Sequence, residues 1–166
     1  MRKAKAQRRL YLPDPKFGDP LVTRFVNHIM KDGKKTKAYG IFYDAMNEIE
    51  RRKEDPEKSA LEVWKEALKN VMPHVEVRTL RRGGTNIQVP VAITPNVKLT
   101  KAIKFLIGCA RERNEKTMFG RLAAETLAAS KEEGAAVKKR ENIHKMAEAN
   151  KAFSHLMISN PSWKKP

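Results

Sequence analysis

The side chains best suited to chemistry in this sequence are lysines and arginines, which occur in five separate groups. They are Arg2, Lys3, Lys5, Arg8 and Arg9; Lys31, Lys34 and Lys35; Arg78, Arg81 and Arg82; Lys101, Lys104 and Arg111; and Lys138, Lys139 and Arg140. An arginine guanidinium binds a phosphate through two parallel hydrogen bonds, whereas a lysine ammonium acts as a point charge. Any single group is explained by a solvated surface, but five groups together indicate contact with a polyanion.

The overall charge points to the same class of partner. The chain has 35 Lys and Arg residues against 19 Asp and Glu residues, which gives a formal net charge of +16. Residues 44–66 hold eight acids and five bases, so this segment is −3 and the remaining residues are +19. An excess of one sign destabilises a folded chain by self-repulsion. We therefore expect one surface that faces water or protein and another that binds nucleic acid. If the second surface neutralises about eight phosphates, log affinity falls with log salt with a slope of about −7.

The residue types that usually perform catalysis are scattered through the chain. Residues 33–36 (GKKT) partly match a phosphate-binding loop, but the first glycine of that motif falls at position 28, which is His28. The sequence has no serine-nucleophile or zinc-protease motif, and Cys109 is its single cysteine. We predict a non-enzymatic protein that needs no cofactor or metal. A lone cysteine favours a reducing cytoplasm, and we expect neither a secretory signal nor a membrane span, since no apolar run reaches about 18 residues.

Apolar residues at helical spacing predict about six helices in a single domain, so the fold class is mainly α. The predicted helix starts are Asp19-Pro20, Lys35, Ser59, Thr94-Pro95, Thr117 and Val137, and the last helix is predicted to extend to about His155. Ser59 and Glu62 have the spacing of a capping box. We expect residues 1–11 to form a disordered basic arm, residues 12–155 a helical RNA-binding domain, and residues 156–166 a C-terminal tail.

Between the third and fourth predicted helices the apolar period changes from helical to alternating. Residues 75–80 and 87–93 alternate, which predicts a protruding two-stranded β-hairpin at about 74–93. Residues 81–86 are expected to form its turn, because Gly83 and Gly84 adopt positive φ without steric cost. Pro90 lacks an N–H and is excluded from a central strand, so the hairpin must be exposed. A two-stranded hairpin is marginal in water and must pack on helices or on a ligand.

Four stretches of the sequence resemble a known family. Residues 136–153 (AVKKRENIHKMAEANKAF) are similar to the C-terminal signature of ribosomal protein seven of the bacterial small subunit. Three further stretches match in order: 12–17 (LPDPKF), 32–35 (DGKK), and the pair Gly83-Gly84 followed by 88–91 (QVPV). The resemblance covers residues 8 to 155, and the signature in the last helix is its most specific part. The chain is thus identified as a member of the universal small-subunit protein seven family.

This resemblance implies about six helices with a protruding hairpin and a structural role in the small ribosomal subunit. It implies binding to the 3′ major domain of small-subunit rRNA, nucleation of head assembly, and a place at the exit site near tRNA, mRNA and the ninth and eleventh small-subunit proteins. It makes Lys34 and Lys35 rRNA contacts, residues 138–140 candidate RNA contacts, and Arg81, Arg82, Gly83 and Gly84 the tRNA-side hairpin tip. Membrane contact and homo-oligomers are not expected. Ile87 stands where the family commonly has an aromatic residue, so base stacking is not expected there.

Two other functions remain open on the residues alone. A basic hairpin also occurs in architectural proteins that bind the minor groove of DNA, and composition does not separate RNA from DNA. An RNA-modifying enzyme would need a cofactor loop or paired catalytic groups, and neither is found in the sequence. Release of bound cellular nucleic acid by RNase or by DNase would distinguish the first two functions, and turnover by the purified protein would identify the third.

Overall fold

The computed structural model of the chain describes residues 11–157, and the fold is mainly α with one antiparallel hairpin, as predicted. The elements are α1 (Pro20–Ile29), α2 (Lys35–Arg52), α3 (Ala60–Val71), β1 (Val75–Arg82), β2 (Thr85–Ala92), α4 (Pro95–Glu112), α5 (Met118–Ser130), α6 (Ala135–Ala149) and a 3₁₀ turn (Lys151–Met157). The predicted contacts Arg2, Lys3, Lys5, Arg8 and Arg9 lie outside the described residues, so the basic arm stays a prediction.

Side-chain caps begin three of the helices where the sequence predicted them. Asp19 Oδ1 accepts a hydrogen bond from the Leu21 N–H (2.8 Å) ahead of α1. At α3 the Ser59 hydroxyl accepts from the Glu62 N–H, and the Glu62 carboxylate accepts from the Ser59 N–H, which completes the capping box. Thr117 accepts from the Gly120 N–H at the start of α5 (3.3 Å). Each cap satisfies a backbone donor that has no partner inside the helix.

The main apolar core is built from α1 to α5, with the first turn of α6. Its centre is aromatic: the Trp64 ring lies 5.1 Å from Phe25 and 5.3 Å from Phe42, both in edge-to-face geometry, and all three side chains are fully buried. Alanines at 45, 67, 102, 110 and 123 are also fully buried. Small side chains let helix axes approach closely, so α5 packs against α2, α3 and α4 at once.

The segment before α1 is fixed to the core by one buried carboxylate. Asp14 accepts hydrogen bonds from the backbone N–H groups of Lys16 (3.1 Å) and Phe17 (2.9 Å) and from the Tyr43 hydroxyl (2.8 Å). Burial, together with the hydrogen bond to Asp14, raises the pKa of Tyr43 to about 12. This proline-rich lead-in therefore has a defined position beside α2.

The last helix ends earlier than the periodicity predicted. α6 stops at Ala149 instead of continuing to about His155, and the Asn150 side chain donates to the Met146 carbonyl (2.7 Å) at that point. The chain continues as the 3₁₀ turn, which carries Leu156 against the hairpin, where this side chain is buried. A contact with a strand distant in sequence decides the helix end, and such a contact is invisible to local periodicity.

The hairpin turn is shorter than predicted. The strands stay paired up to Arg82 and Thr85, so the loop is the two residues Gly83 and Gly84 rather than residues 81–86. Their φ angles are +58° and +82°. Two consecutive positive φ values are what a type I′ turn requires, and this turn matches the right-handed twist of the strands.

Candidate nucleic-acid interface

A cleft of about 450 Å³ lies where α1, α2, α4 and α5 meet. Its lining residues are Ile29, Met30, Lys31, Lys34, Lys37, Ala38, Ile41, Arg111, Met118 and Arg121. Five of these side chains are apolar and the other five are cationic. None of the described residues that line it is acidic. We call this surface the basic cleft.

The two arginines of the basic cleft are held in place by backbone carbonyls. Arg111 donates from Nη2 to the Ile29 carbonyl (3.2 Å), which ties the end of α4 to the end of α1. Arg121 donates from Nε to the Glu115 carbonyl (2.5 Å) and from Nη1 to the Arg111 carbonyl (3.4 Å). A guanidinium has five N–H donors, so each arginine keeps donors for a phosphate while its position is already fixed.

The three lysines of the basic cleft come from the α1–α2 loop and the first turn of α2. Asp32 and Gly33 have φ angles of +53° and +73°, and this left-handed pair turns the chain between the two helices. Lys34 Nζ lies 3.8 Å from Asp32 Oδ2, but the two side chains are 62% and 78% exposed. An ion pair this exposed contributes little, so the Lys34 charge stays available to a ligand.

The structure brings Lys31, Lys34 and Arg111 from two predicted groups into this one cleft, and it adds Lys37 and Arg121, which the sequence analysis missed. Lys37 lies three residues after Lys34, a spacing that places both on one side of a helix and offered a usable signal. Arg121 has no such signal, because its proximity to Arg111 depends on the packing of α4 and α5. Lys35 does not line the cleft; its Nζ lies 5.6 Å above the Tyr39 ring.

Two other predicted RNA contacts, Arg78 and Lys101, form an ion pair with one carboxylate. The Glu76 side chain is 8% exposed and binds Arg78 as well as Lys101, whose Nζ is 2.6 Å from Oε2. Burial alone would raise the pKa of Glu76, but the hydrogen bonds from Lys101 and Arg78 outweigh it and hold that pKa below its ordinary value. Lys101 thereby joins the base of the hairpin to α4, whereas Arg78 binds Glu76 within β1.

Lys104 of α4 is another predicted RNA contact; it is exposed and lies beside α1. Burial lowers the pKa of His28, and the positive charges of Lys104 and Arg24 lower it further. His28 is therefore neutral at pH 7 and adds no charge. Arg24 donates to the Asn96 carbonyl (3.0 Å) and the Thr100 hydroxyl (2.5 Å), so it joins α1 to α4.

The predicted group on α6 divides into exposed and internal members. Lys138 and Lys139 are exposed. Arg140 is half-buried and donates to the Asn70 carbonyl at the end of α3, and it lies 3.9 Å from Glu141. On the same helix His144 Nε2 accepts from the His74 N–H (3.1 Å), which requires a ring nitrogen without a proton. Burial and the nearby His74 and Arg140 lower the pKa of His144 in agreement with this role.

The hairpin tip is exposed in full. Arg81, Arg82, Gly83 and Gly84 are all solvent-accessible. Because successive strand residues point to opposite faces, Arg81 and Arg82 present cations to the two sides of the hairpin. Ile87 is half-buried and packs against the buried strand residues Val89 and Val91. It supports the hairpin and is not displayed for stacking.

The acidic segment 44–66 is largely neutralised by internal pairs. Glu48 binds Arg51 (3.6 Å) and Arg52 (2.5 Å), and Lys58 lies 3.0 Å from Glu66. Lys131 from the end of α5 binds Glu54. No carboxylate of this segment lines the basic cleft among the residues described. The acidic segment and the basic cleft therefore lie on separate surfaces of the described chain.

Residues 11–157 lack the side-chain clusters of a metal site and the helices of a membrane span. No cluster of three or more His, Cys, Asp or Glu side chains in this range could bind a metal ion. No helix in the same range has the length and apolar character needed to cross a membrane. The buried Cys109 thiol has a pKa raised by burial, as expected of a small core residue.

The chain was compared with known proteins. A family model described as ribosomal protein S7p/S5e matches residues 1–151. The small ribosomal subunit protein uS7 of Karelsulcia muelleri is 67% identical over 156 residues, which are 94% of this chain and 99% of that protein. The corresponding uS7 proteins of Christiangramia forsetii and Flavobacterium johnsoniae are 63% and 62% identical over the same shares of both chains. The chain therefore belongs to the ribosomal protein S7p/S5e family, and it is a non-enzymatic, RNA-binding structural constituent of the small ribosomal subunit in the cytoplasm, as the sequence predicted.

Proposed function

We propose that the basic cleft is the main rRNA-binding site of this protein. The observation that carries the proposal is the arrangement of five cations around an apolar floor with no acidic residue in the described lining. Cations at the rim neutralise phosphates and release counterions, which supplies affinity. The apolar floor suits the face of an unstacked base or a ribose, because proteins recognise folded RNA at loops and junctions where bases leave the stack.

The rRNA partner in this proposal is the 3′ major domain of the small-subunit rRNA, and binding there nucleates assembly of the head. Fixed arginines suit this role because a preformed site loses little conformational entropy when the RNA binds. Exposed cations outside the cleft would bind further rRNA segments of the same fold: these are Lys35, Lys104, Lys138 and Lys139. Arg2, Lys3, Lys5, Arg8 and Arg9, which lie outside the described residues, are proposed as additional rRNA contacts. In this proposal Arg78, Lys101 and Arg140 add positive charge to that surface, although each also binds a partner within the protein.

A second contact in this proposal is the hairpin tip, which would lie at the exit site beside tRNA and mRNA. Support comes from the exposure of Arg81 to Gly84 and from the positive charge on both hairpin faces. The cleft is built by α1, α2, α4 and α5, whereas the hairpin packs on α6 and the 3₁₀ turn. Different elements thus carry the two surfaces, which allows one protein to bind rRNA and a mobile RNA ligand together. The ninth and eleventh small-subunit proteins are the proposed protein neighbours.

A salt titration of binding tests the rRNA site. The side chains of Lys31 and Lys37 have no hydrogen-bond or ion-pair partner among the described residues, so replacing both with glutamine removes charge without breaking an internal side-chain contact. We expect the double variant K31Q/K37Q to bind a 3′ major domain fragment on the order of 10-fold more weakly at 0.1 M salt. The slope of log affinity against log salt should decrease by about 2, since each lost lysine removes about one phosphate contact.

The matched control is K58Q/K131Q, which removes the same charge from the acidic segment and its α5 partner. It should leave both the affinity and the slope near wild type. Equal losses in the two double variants would show that only net charge matters, and the basic cleft would then not be the site. A duplex DNA of the same length that competes as well as the rRNA fragment would instead favour the architectural DNA-binding function.

A further inference from the structure

The hairpin has a small apolar cluster of its own, separate from the main core. Its buried members are Val89 (0% exposed), Val91 (2%) and Leu156 (5%), and Leu80 and Ile87 pack against them half-buried. Four of the five residues belong to the strands. Leu156 is the member that comes from outside the hairpin, and it is placed there by the 3₁₀ turn.

The strand register shows which face of the hairpin the 3₁₀ turn covers. Val89 pairs with Arg78, Val91 with Glu76, and Ile87 with Leu80. Directly opposed residues in an antiparallel pair point to the same side, so these three pairs form one face. This face includes Glu76 at the base of the hairpin and the apolar cluster further along. The 3₁₀ turn and α4 therefore hold the same face at two successive positions.

From this arrangement we infer that Leu156 is a positioning residue that sets the direction of the hairpin and hence the place of its tip. The inference rests on the proposed function of that tip. Lys101 holds Glu76 at the base, and Leu156 holds the strands at Val89 and Val91. On the opposite face, Asn150 at the end of α6 donates from Nδ2 to Gln88 Oε1 (3.4 Å), so the chain is also joined to β2 just before the 3₁₀ turn begins.

The length of hairpin that extends beyond Leu156 shows why the Leu156 contact matters for the position of the tip. Val89 pairs with Arg78, and Arg82 at the tip lies four positions further along the strand than Arg78. At about 3.3 Å per residue the strands extend roughly 13 Å beyond the position of Leu156. Without the Leu156 contact, α6 and the ion pair of Glu76 would be the remaining attachments, and the tip would move over a larger distance, since an isolated hairpin is marginally stable. With Leu156 in place, a shorter part of the hairpin is free to move, and Arg81 and Arg82 keep a defined position.

Amide hydrogen exchange in the full-length protein tests this inference directly. Leu156→Ala removes the apolar contact, and exchange at hairpin amides between 76 and 91 should become faster by about 30-fold, in line with the cost of large-to-small substitutions and with local opening. Amides of α3 and α5 should exchange at the wild-type rate, because Leu156 does not belong to the main core. Leu156→Met, which keeps the apolar volume, should restore most of the protection.

The matched control is Phe153→Ala, which removes a larger apolar side chain from the same turn where that side chain is 39% exposed. Its exchange pattern should equal that of the wild type. Unchanged hairpin protection in Leu156→Ala, or an equal acceleration in α3 and α5, would overturn the inference. In the second case Leu156 would contribute to global stability and have no separate effect on the hairpin.

A second readout separates this inference from the proposed function of the tip. Small subunits are assembled with Leu156→Ala or with the tip variant R81Q/R82Q, and the residence time of deacylated tRNA at the exit site is measured. Both variants should shorten it several-fold, while affinity for the 3′ major domain fragment stays at the wild-type value. If only R81Q/R82Q has an effect, positioning by Leu156 is wrong. If R81Q/R82Q has none, the proposed role of the tip fails and hydrogen exchange alone decides whether Leu156 holds the hairpin.

Discussion

The basic cleft and the hairpin are both cationic surfaces, but they are held in different ways. The cleft lies between helices whose inner faces form the main core, so its arginines sit on a rigid base. The hairpin lies outside the main core: it packs on α6 and the 3₁₀ turn and has a three-residue buried cluster and one buried carboxylate of its own. The surrounding packing therefore decides whether a cation is available to a ligand or binds an internal partner. Arg111 and Arg121 keep donors for a ligand, whereas Arg78 and Lys101 neutralise Glu76.

The largest effect should come from the core beneath the cleft. Trp64→Ala removes a fully buried indole that contacts Phe25 and Phe42, and the expected loss is about 3–5 kcal/mol of unfolding free energy. Because the helices under the cleft share this core, rRNA affinity should fall together with stability. Chemical denaturation of Trp64→Ala, with Phe153→Ala as the exposed control, measures the difference. A loss below 1 kcal/mol in Trp64→Ala would contradict a common core for α1 to α5.

An intermediate effect is expected at the base of the hairpin. Glu76→Gln removes the negative charge between Arg78 and Lys101 and should destabilise the hairpin by about 1–3 kcal/mol, because a hydrogen-bonded charge in a buried position is lost. The main core should be unaffected. Hydrogen exchange at residues 75–92 reports the loss, and exchange in α2 and α3 is the internal control.

The same carboxylate predicts a pH dependence. The pKa of Glu76 is lower in the folded protein than its ordinary value of 4.5, so its ionised form stabilises the fold. This contribution is present above pH 4.5 and is lost as the pH falls through the lower folded pKa. Between pH 6 and pH 3.5 the hairpin amides of the wild type should lose protection against hydrogen exchange. Those of Glu76→Gln should not, because the variant has no carboxylate to protonate at this position. Parallel pH profiles of the two proteins would contradict the assignment.

The smallest effect distinguishes two neighbouring cations on α6. Arg140→Gln removes the hydrogen bond to the Asn70 carbonyl and should cost about 1 kcal/mol of unfolding free energy. Lys139→Gln removes an exposed charge, so stability should change by less than about 0.5 kcal/mol while rRNA affinity falls slightly. Thermal unfolding and filter binding of both variants measure this. The reverse pattern would show that Arg140, not Lys139, is the RNA contact of this pair.

Local chemistry made much of the fold predictable. Asp19-Pro20, Ser59 with Glu62, and Thr117 begin helices because their side chains satisfy free N–H groups, and this needs no distant partner. The alternating residues on either side of Gly83-Gly84 predicted the hairpin for the same reason. The end of α6 was not predictable, since Leu156 leaves the helical path to contact Val89 and Val91 on another element.

For the candidate site, the sequence predicted which groups of cations bind a polyanion but not how these cations are arranged in space. Charge and grouping identified Lys31, Lys34 and Arg111 as polyanion contacts. They did not place these three in one cleft, and they did not identify Arg121. They also did not show that Arg78, Lys101 and Arg140 would find internal partners, because an ion pair or a carbonyl contact forms between residues far apart in the chain.

The class of partner, the helical elements, the hairpin and the family could all be read from the order of the residues. Net charge, caps and periodicity act over a few residues or over the whole chain, so they need no three-dimensional arrangement. Tertiary structure decided which cations face a ligand and which are used internally. That choice depends on distances between elements, and those distances are set when the apolar faces of the helices pack together.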